Sequence, residues 1–246
     1  GLSATIDALF PDDRIVPIAW LGREPPGLRD LLADADAWVC SLPRDDAEAL
    51  LAASGSRAQL VLVPTIWFPA FHPDLTPVLR RDGRELDGPA MTYHSRLVLW
   101  GWAHGWDRAE IVDRFTPATF AALGYHDTWA PSVAGVRRAF AATDLDVDRW
   151  LLPLVPRGAF MLTSNHPRLD ALVQMGRLAA EHLGADADRL RFDWEQVLPD
   201  GLLATSVVWP LYPPVAATYG LPGAYVWRLE SGELIGLDEY VERSLD

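Results

Sequence analysis

Two of the six histidines stand directly before a proline, in Phe71-His72-Pro73-Asp74 and in Thr163-Ser164-Asn165-His166-Pro167. Proline suits the first turn of a helix and pushes the residue before it out of helical geometry. The run from Arg168 to Leu183 has amphipathic spacing, so Asn165 or His166 is expected to be its N-cap. The positive end of a helix dipole disfavours imidazolium. A neutral imidazole near pH 7 is what a general base requires. His72, Asn165 and His166 are therefore the candidate catalytic residues. The competing reading is a plain helix cap beside a surface histidine.

A second group is Met91-Thr92-Tyr93-His94-Ser95-Arg96, expected at the start of a helix over 91–103. Tyr93, His94, Ser95 and Arg96 offer donors, acceptors and a cation, and helix N-termini favour anions. With Asp74 they are the candidate substrate- or cofactor-binding residues. No spacing of His, Cys, Asp or Glu is diagnostic of a metal, so none is expected. GxSxG and GxGxxG are both absent from the chain, which removes support from the common serine hydrolase and Rossmann readings.

These residues need elements to hold them. The first 65 residues alternate helix and strand. Helices are expected over Leu2–Phe10, Leu28–Ala33 and Asp45–Ala53, and strands over Arg14–Trp20, Ala37–Ser41 and Gln59–Thr65. That rhythm implies a small parallel sheet covered by helices. Residues 66–246 read as mostly helical, with helices over Asp107–Phe115, Pro117–Leu123, Ser132–Thr143, Val147–Leu152 and Arg168–Leu183. An apolar strand over Ala159–Thr163 is expected to lead into the His166 turn. The stretch after Leu198 is rich in Pro and Trp and reads as irregular. A hairpin over Tyr225–Leu229 and Glu233–Leu237 and a short last helix follow. The expected class is a helix-rich α/β fold in one domain spanning 1–246. Ligands of α/β sheets collect at the carboxyl ends of strands. If Gln59–Thr65 and Ala159–Thr163 share a sheet, His72 and Asn165-His166 meet in one cleft.

The composition bounds the partners. The net charge is −13 and every basic residue is arginine, which argues against nucleic acid and excludes lysine chemistry within the chain. Cys40 is the only cysteine, so no internal disulfide forms, and a reducing cytoplasm is expected. No apolar run is long enough to span a membrane. The 11 Trp are many, and most should be core.

Taken in order, Pro64-Thr65-Ile66-Trp67-Phe68-Pro69-Ala70-Phe71-His72-Pro73-Asp74, then Tyr93-His94-Ser95, then Asn165-His166-Pro167 and its helix, the chain resembles the WcbI family of capsular polysaccharide biosynthesis proteins. The resemblance runs to about Gly184. It implies a bacterial protein with a helix-rich α/β fold. It also implies coenzyme A or acetyl-CoA as co-substrate, with acetyl transfer to a sugar hydroxyl of a small-molecule or glycan acceptor. The family's Gly-Asn-Cys-Gln turn, expected after a first strand, is not found in the sequence. The chain opens on the helix that would follow that turn, and Cys40 falls in a later strand. Two other readings use the same residues: a non-catalytic glycan- or nucleotide-binding module, and an esterase acting on acylated glycans.

Overall fold

In the computed structural model, residues 1–18, 23–201 and 205–246 are described. They form two compact units. The first comprises 1–66, 136–156 and 169–199; the second comprises 67–135, 157–168 and 200–246. The fold is helix-rich mixed α/β.

The first unit holds the parallel sheet. β1 (Ala37–Cys40) and β2 (Gln59–Leu62) pair in parallel, with Ala37 opposite Gln59 and Cys40 opposite Leu62. The crossover helix α3 (Arg44–Ala53) opens on Asp45 and Asp46, whose charge suits its N-terminus. It packs with α2 (Leu28–Ala33) around Leu28, Leu32, Trp38, Ala47 and Leu62. The strand expected over Arg14–Trp20 does not form. Residues 14–18 have no regular structure, and the remainder of that stretch lies outside the described residues.

The first helix α1 (Leu2–Leu9) packs on the later helix of this unit, Leu169–His182, whose buried face includes Ala171, Val173, Met175, Gly176 and Ala179. Gly176 is what lets the two backbones approach. A Cβ there would stand 2.5 Å from Thr5 Cγ2. The Trp150 indole N–H donates to the Ala171 carbonyl at 2.9 Å, and Gln59 donates to the His182 carbonyl at 2.7 Å.

The second unit is built from antiparallel pairs and short helices. β3 (Leu75–Pro77) pairs with β4 (Tyr93–Ser95), Leu75 facing Ser95 and Pro77 facing Tyr93. Helix α4 (Arg96–Ala103) follows at once, with Ser95 as its N-cap: the Ser95 hydroxyl accepts from the Val98 N–H at 3.1 Å. The single helix expected over 91–103 is thus a turn, a strand and a helix. Next come α5 (Arg108–Val112), with a reciprocal Asp107–Glu110 capping box, and α6 (Pro117–Ala122), with Pro117 at its start. The helix α7 (Trp129–Ala141) gives its first residues to this unit.

The stretch after Leu198 is more regular than its composition suggests. A helix spans Pro213–Thr218. Strands β5 (Val226–Arg228) and β6 (Leu234–Gly236) form the expected hairpin, and a helix closes the chain over Leu237–Leu245. The core here is aromatic. Trp227 and Tyr240 stack face to face at 4.1 Å, and Trp209 meets both edge-on. Such pairs add to the area they bury.

Gly176→Ala should lower stability. Helix propensity alone would favour alanine by about 1 kcal/mol. Overpacking against Thr5 should cost about 1–3 kcal/mol and reverse the sign. A urea midpoint below wild type is expected, and a higher one would contradict the close approach.

Candidate functional site

All eight residues singled out by sequence lie in the second unit. Two ordered turns, one strand and the first position of α4 carry them, and they separate into distinct settings.

Asp74 is the most enclosed. A short 3₁₀ turn over Pro69–Phe71 precedes it, and the His72 N–H donates back to the Pro69 carbonyl at 2.9 Å. The side chain of Asp74 is fully buried. Its Oδ1 accepts from the Tyr125 hydroxyl (2.7 Å) and the Leu97 N–H (3.0 Å), and its Oδ2 accepts from the Tyr212 hydroxyl (2.9 Å). The Ser95 hydroxyl is a further donor. The Arg96 N–H donates to the Asp74 backbone carbonyl at 2.8 Å. Burial pushes the Asp74 carboxyl up, against the pull of these donors, and pushes the Tyr125 and Tyr212 phenols up as well. Asp74 and Ser95 are therefore committed to internal bonds: they lock β3 to the start of α4. The Tyr240 hydroxyl accepts from the Ser95 N–H at 3.1 Å and ties in the last helix.

His72 is also buried, 3 % exposed. One ring nitrogen donates to the Trp209 carbonyl, which fixes the tautomer and leaves a lone pair on Nδ1 with no partner. Burial pushes the imidazole pKa down to about 3. His72 is neutral across the physiological range, and its ring stands against Phe71.

The 163–167 segment is a tight turn. The Leu162 N–H donates to the His166 carbonyl (2.8 Å) and the Arg168 N–H to the Phe160 carbonyl (2.9 Å), around an isolated bridge between Met161 and Pro167. The strand expected over Ala159–Thr163 is absent, because this segment satisfies its backbone within its own turn and through the Trp209 N–H. The shared sheet edge expected to join the two His-Pro elements does not exist. What links them locally is the Phe68 N–H, which donates to the Ser164 carbonyl at 2.7 Å. The cap expectation also changes. The helix begins at Leu169, and the Asn165 and His166 side chains turn instead to Tyr93 and Thr163.

Those four side chains form one cluster. The Tyr93 hydroxyl donates to Asn165 Oδ1 (2.7 Å) and lies 3.0 Å from His166 Nδ1. The Thr163 hydroxyl lies 2.8 Å from His166 Nδ1 and donates to Asn165 Oδ1 (3.0 Å). It also accepts the N–H groups of Asn165 (3.4 Å) and His166 (3.2 Å). Thr163 is fully buried, His166 half-buried and Asn165 exposed. Burial pushes His166 down and the Tyr93 phenol up. The cluster can therefore present a neutral, oriented imidazole beside an exposed amide. Sequence reasoning missed Thr163. The available signal was a hydroxyl residue opening a Thr-Ser-Asn-His turn, where Ser and Thr side chains bond backbone N–H groups two or three residues on.

His94 and Arg96 stand apart from the cluster. His94 Nε2 lies 2.9 Å from the Leu86 carbonyl and is buried. Side chains alternate along a strand, so His94 points to the face opposite Tyr93 and Ser95. Gly88 makes room for its ring, since a Cβ there would come within 2.7 Å of His94 Cε1. Met91, in this same turn, takes a left-handed φ of 57°. Arg96 is exposed at the first position of α4. Among the described residues no group of three or more His, Cys, Asp or Glu could hold a metal, and no helix is long and apolar enough to cross a membrane.

Comparisons bear on the whole arrangement. The family model described as "Polysaccharide biosynthesis enzyme WcbI" matches residues 12–188. A solved structure described as WcbI, a novel polysaccharide biosynthesis enzyme, superposes with a TM-score of 0.68 at 14 % identity. The match covers 89 % of this chain and 75 % of that one. That structure is described as the native protein without a disulfide bond between coenzyme A and one of its cysteines. No curated protein matches the chain.

The buried, uncharged state of His72 sets a pH dependence. Its folded pKa lies below the unfolded value, so its contribution is complete above about pH 6.5 and is lost as pH falls toward about 3. The slope in that window should reach about 1.4 kcal/mol per pH unit. Denaturant unfolding of wild type and His72→Gln from pH 7 to 4 checks this. The variant should lack that part of the slope, and parallel curves would contradict it.

Proposed function

Because the chain belongs to the WcbI family of polysaccharide biosynthesis enzymes, we propose that it transfers an acyl group, acetyl being the simplest, from coenzyme A to a sugar hydroxyl. The observation that carries this reading is the Tyr93–Thr163–Asn165–His166 cluster: a half-buried imidazole whose pKa burial pushes down, with two hydroxyls at its Nδ1 that are in turn bonded to the Asn165 amide oxygen. The description of coenzyme A with the structurally similar WcbI protein supports the choice of donor. A thioester donor places the reaction in the cytoplasm, where such thioesters are made.

The chemistry asked of these residues is modest. His166 takes the proton from the acceptor hydroxyl as its oxygen attacks the thioester carbonyl. The new C–O bond forms, the C–S bond breaks, and the departing thiolate recovers the proton. The exposed Asn165 amide faces solvent, where its N–H₂ group can stabilise the oxyanion. Cys40 is not the nucleophile of this reading. It lies in β1 of the first unit, and burial pushes its thiol up, away from the reactive thiolate.

Thiol release from acetyl-CoA, with and without a soluble hexose oligosaccharide as acceptor, tests the proposal. His166→Ala should lose about 10²–10⁴-fold in rate, and Tyr93→Phe should lose less. The wild-type rate should fall on the acid side with a midpoint below the usual histidine range. Full activity in His166→Ala would overturn the assignment. Acetate release from an acetylated oligosaccharide with no coenzyme A present would replace it with the esterase reading.

A further inference from the structure

The cluster has more short contacts than two hydroxyl protons can fill. His166 Nδ1 faces the oxygens of Thr163 (2.8 Å) and Tyr93 (3.0 Å), and Asn165 Oδ1 faces the same two oxygens at 3.0 Å and 2.7 Å. Asn165 Oδ1 is only an acceptor, so each hydroxyl is free to point its one proton there. If Nδ1 were unprotonated, Tyr93 and Thr163 would have to divide two protons among four contacts. Two of those contacts would then set lone pair against lone pair at about 3 Å, inside a partly buried site where unfilled contacts cost most. If Nδ1 carries a proton, that one proton is shared between the two oxygens, both hydroxyls donate to Asn165, and no contact sets lone pair against lone pair.

We infer that Thr163 is a positioning residue that, with Tyr93, holds His166 in the Nδ1–H tautomer, leaving Nε2 as the lone pair available to a substrate. Thr163 is the better anchor of the two hydroxyls. It is fully buried, it is closest to Nδ1, and the His166 backbone N–H fixes its oxygen at 3.2 Å. The Tyr93 hydroxyl arrives from a different element, β4, and completes the ring. The arrangement matters because an isolated neutral imidazole prefers its proton on Nε2, the opposite choice. Orientation by a neighbour that fixes the tautomer is how a histidine becomes a competent base. The use of Nε2 as a base rests on the acyl-transfer reading; the tautomer does not.

Long-range ¹⁵N–¹H correlation of the imidazoles in the full chain tests this without substrate, with the His166 signals assigned by their loss in His166→Gln. Above the His166 midpoint, wild type should show a protonated Nδ1 and a pyridine-like Nε2. Thr163→Ser should keep that pattern, and Thr163→Val should move the proton to Nε2 and lower the rate of thiol release at least tenfold. A pyridine-like Nδ1 in wild type would overturn the inference, as would an unchanged tautomer in a folded Thr163→Val protein. If Thr163→Val does not fold, the wild-type and Thr163→Ser spectra decide it alone. An Nδ1–H signal in a protein inert toward acetyl-CoA would contradict the acyl-transfer reading and leave the tautomer standing.

Discussion

A buried carboxylate organises the second unit. Asp74 has no exposed surface, and its oxygens are met by Tyr125, Tyr212, Ser95 and the Leu97 N–H. Such a charge is tolerated only when its lone pairs are filled. Removing one partner from a set like this costs about 1–3 kcal/mol, because the group left behind is buried and unpaired. The donors come from the start of α4, the turn after α6, and the residue preceding the Pro213–Thr218 helix. Folding this unit around Asp74 therefore fixes the relative positions of segments far apart in sequence. Burial still leaves the Asp74 carboxyl above its ordinary range, so the donors offset only part of the cost.

The consequence for function passes through β4. Ser95 is bonded to Asp74 and Tyr240, and Tyr93 lies two residues earlier on the same face of the strand. Locking Ser95 thus sets where the Tyr93 hydroxyl can reach. It reaches the Thr163–His166 turn, which is held on its other side by the Phe68 N–H. Asp74, first read as a ligand contact, acts through the strand instead. The buried His72 serves the same scaffold by bonding the Trp209 carbonyl, in a strand-like segment whose N–H bonds Leu162.

Local patterns in the sequence were legible where one element decides its own fate. The helix over Leu28–Ala33 forms with the expected bounds, and α3 starts one residue early, at Arg44. Its spacing and acidic first turn need no distant partner. The 91–95 stretch was misread because its preference is settled by pairing with Leu75–Pro77, and because Ser95 is a better N-cap than anything at 91. Residues 159–163 are apolar enough for a strand but have no strand to pair with. Of the candidates chosen by residue type, Tyr93, Asn165 and His166 do meet. The part that could not be read is the geometry between them. Nothing in the chain's local pattern says that Thr163 is buried with its hydroxyl between His166 and Asn165, since that depends on Tyr93 arriving from 70 positions away.

The most direct test of this chain of dependence is the titration of His166, followed by its Cε1 proton in wild type and in Asp74→Asn. The cluster is held shut by β4, and burial is what lowers the His166 pKa. The account predicts a wild-type midpoint below 6.5. It also predicts a shift back toward the free-histidine value in Asp74→Asn, as Tyr93 loosens and water reaches the ring. A wild-type midpoint at or above the free value, or one that Asp74→Asn leaves unmoved, would contradict it.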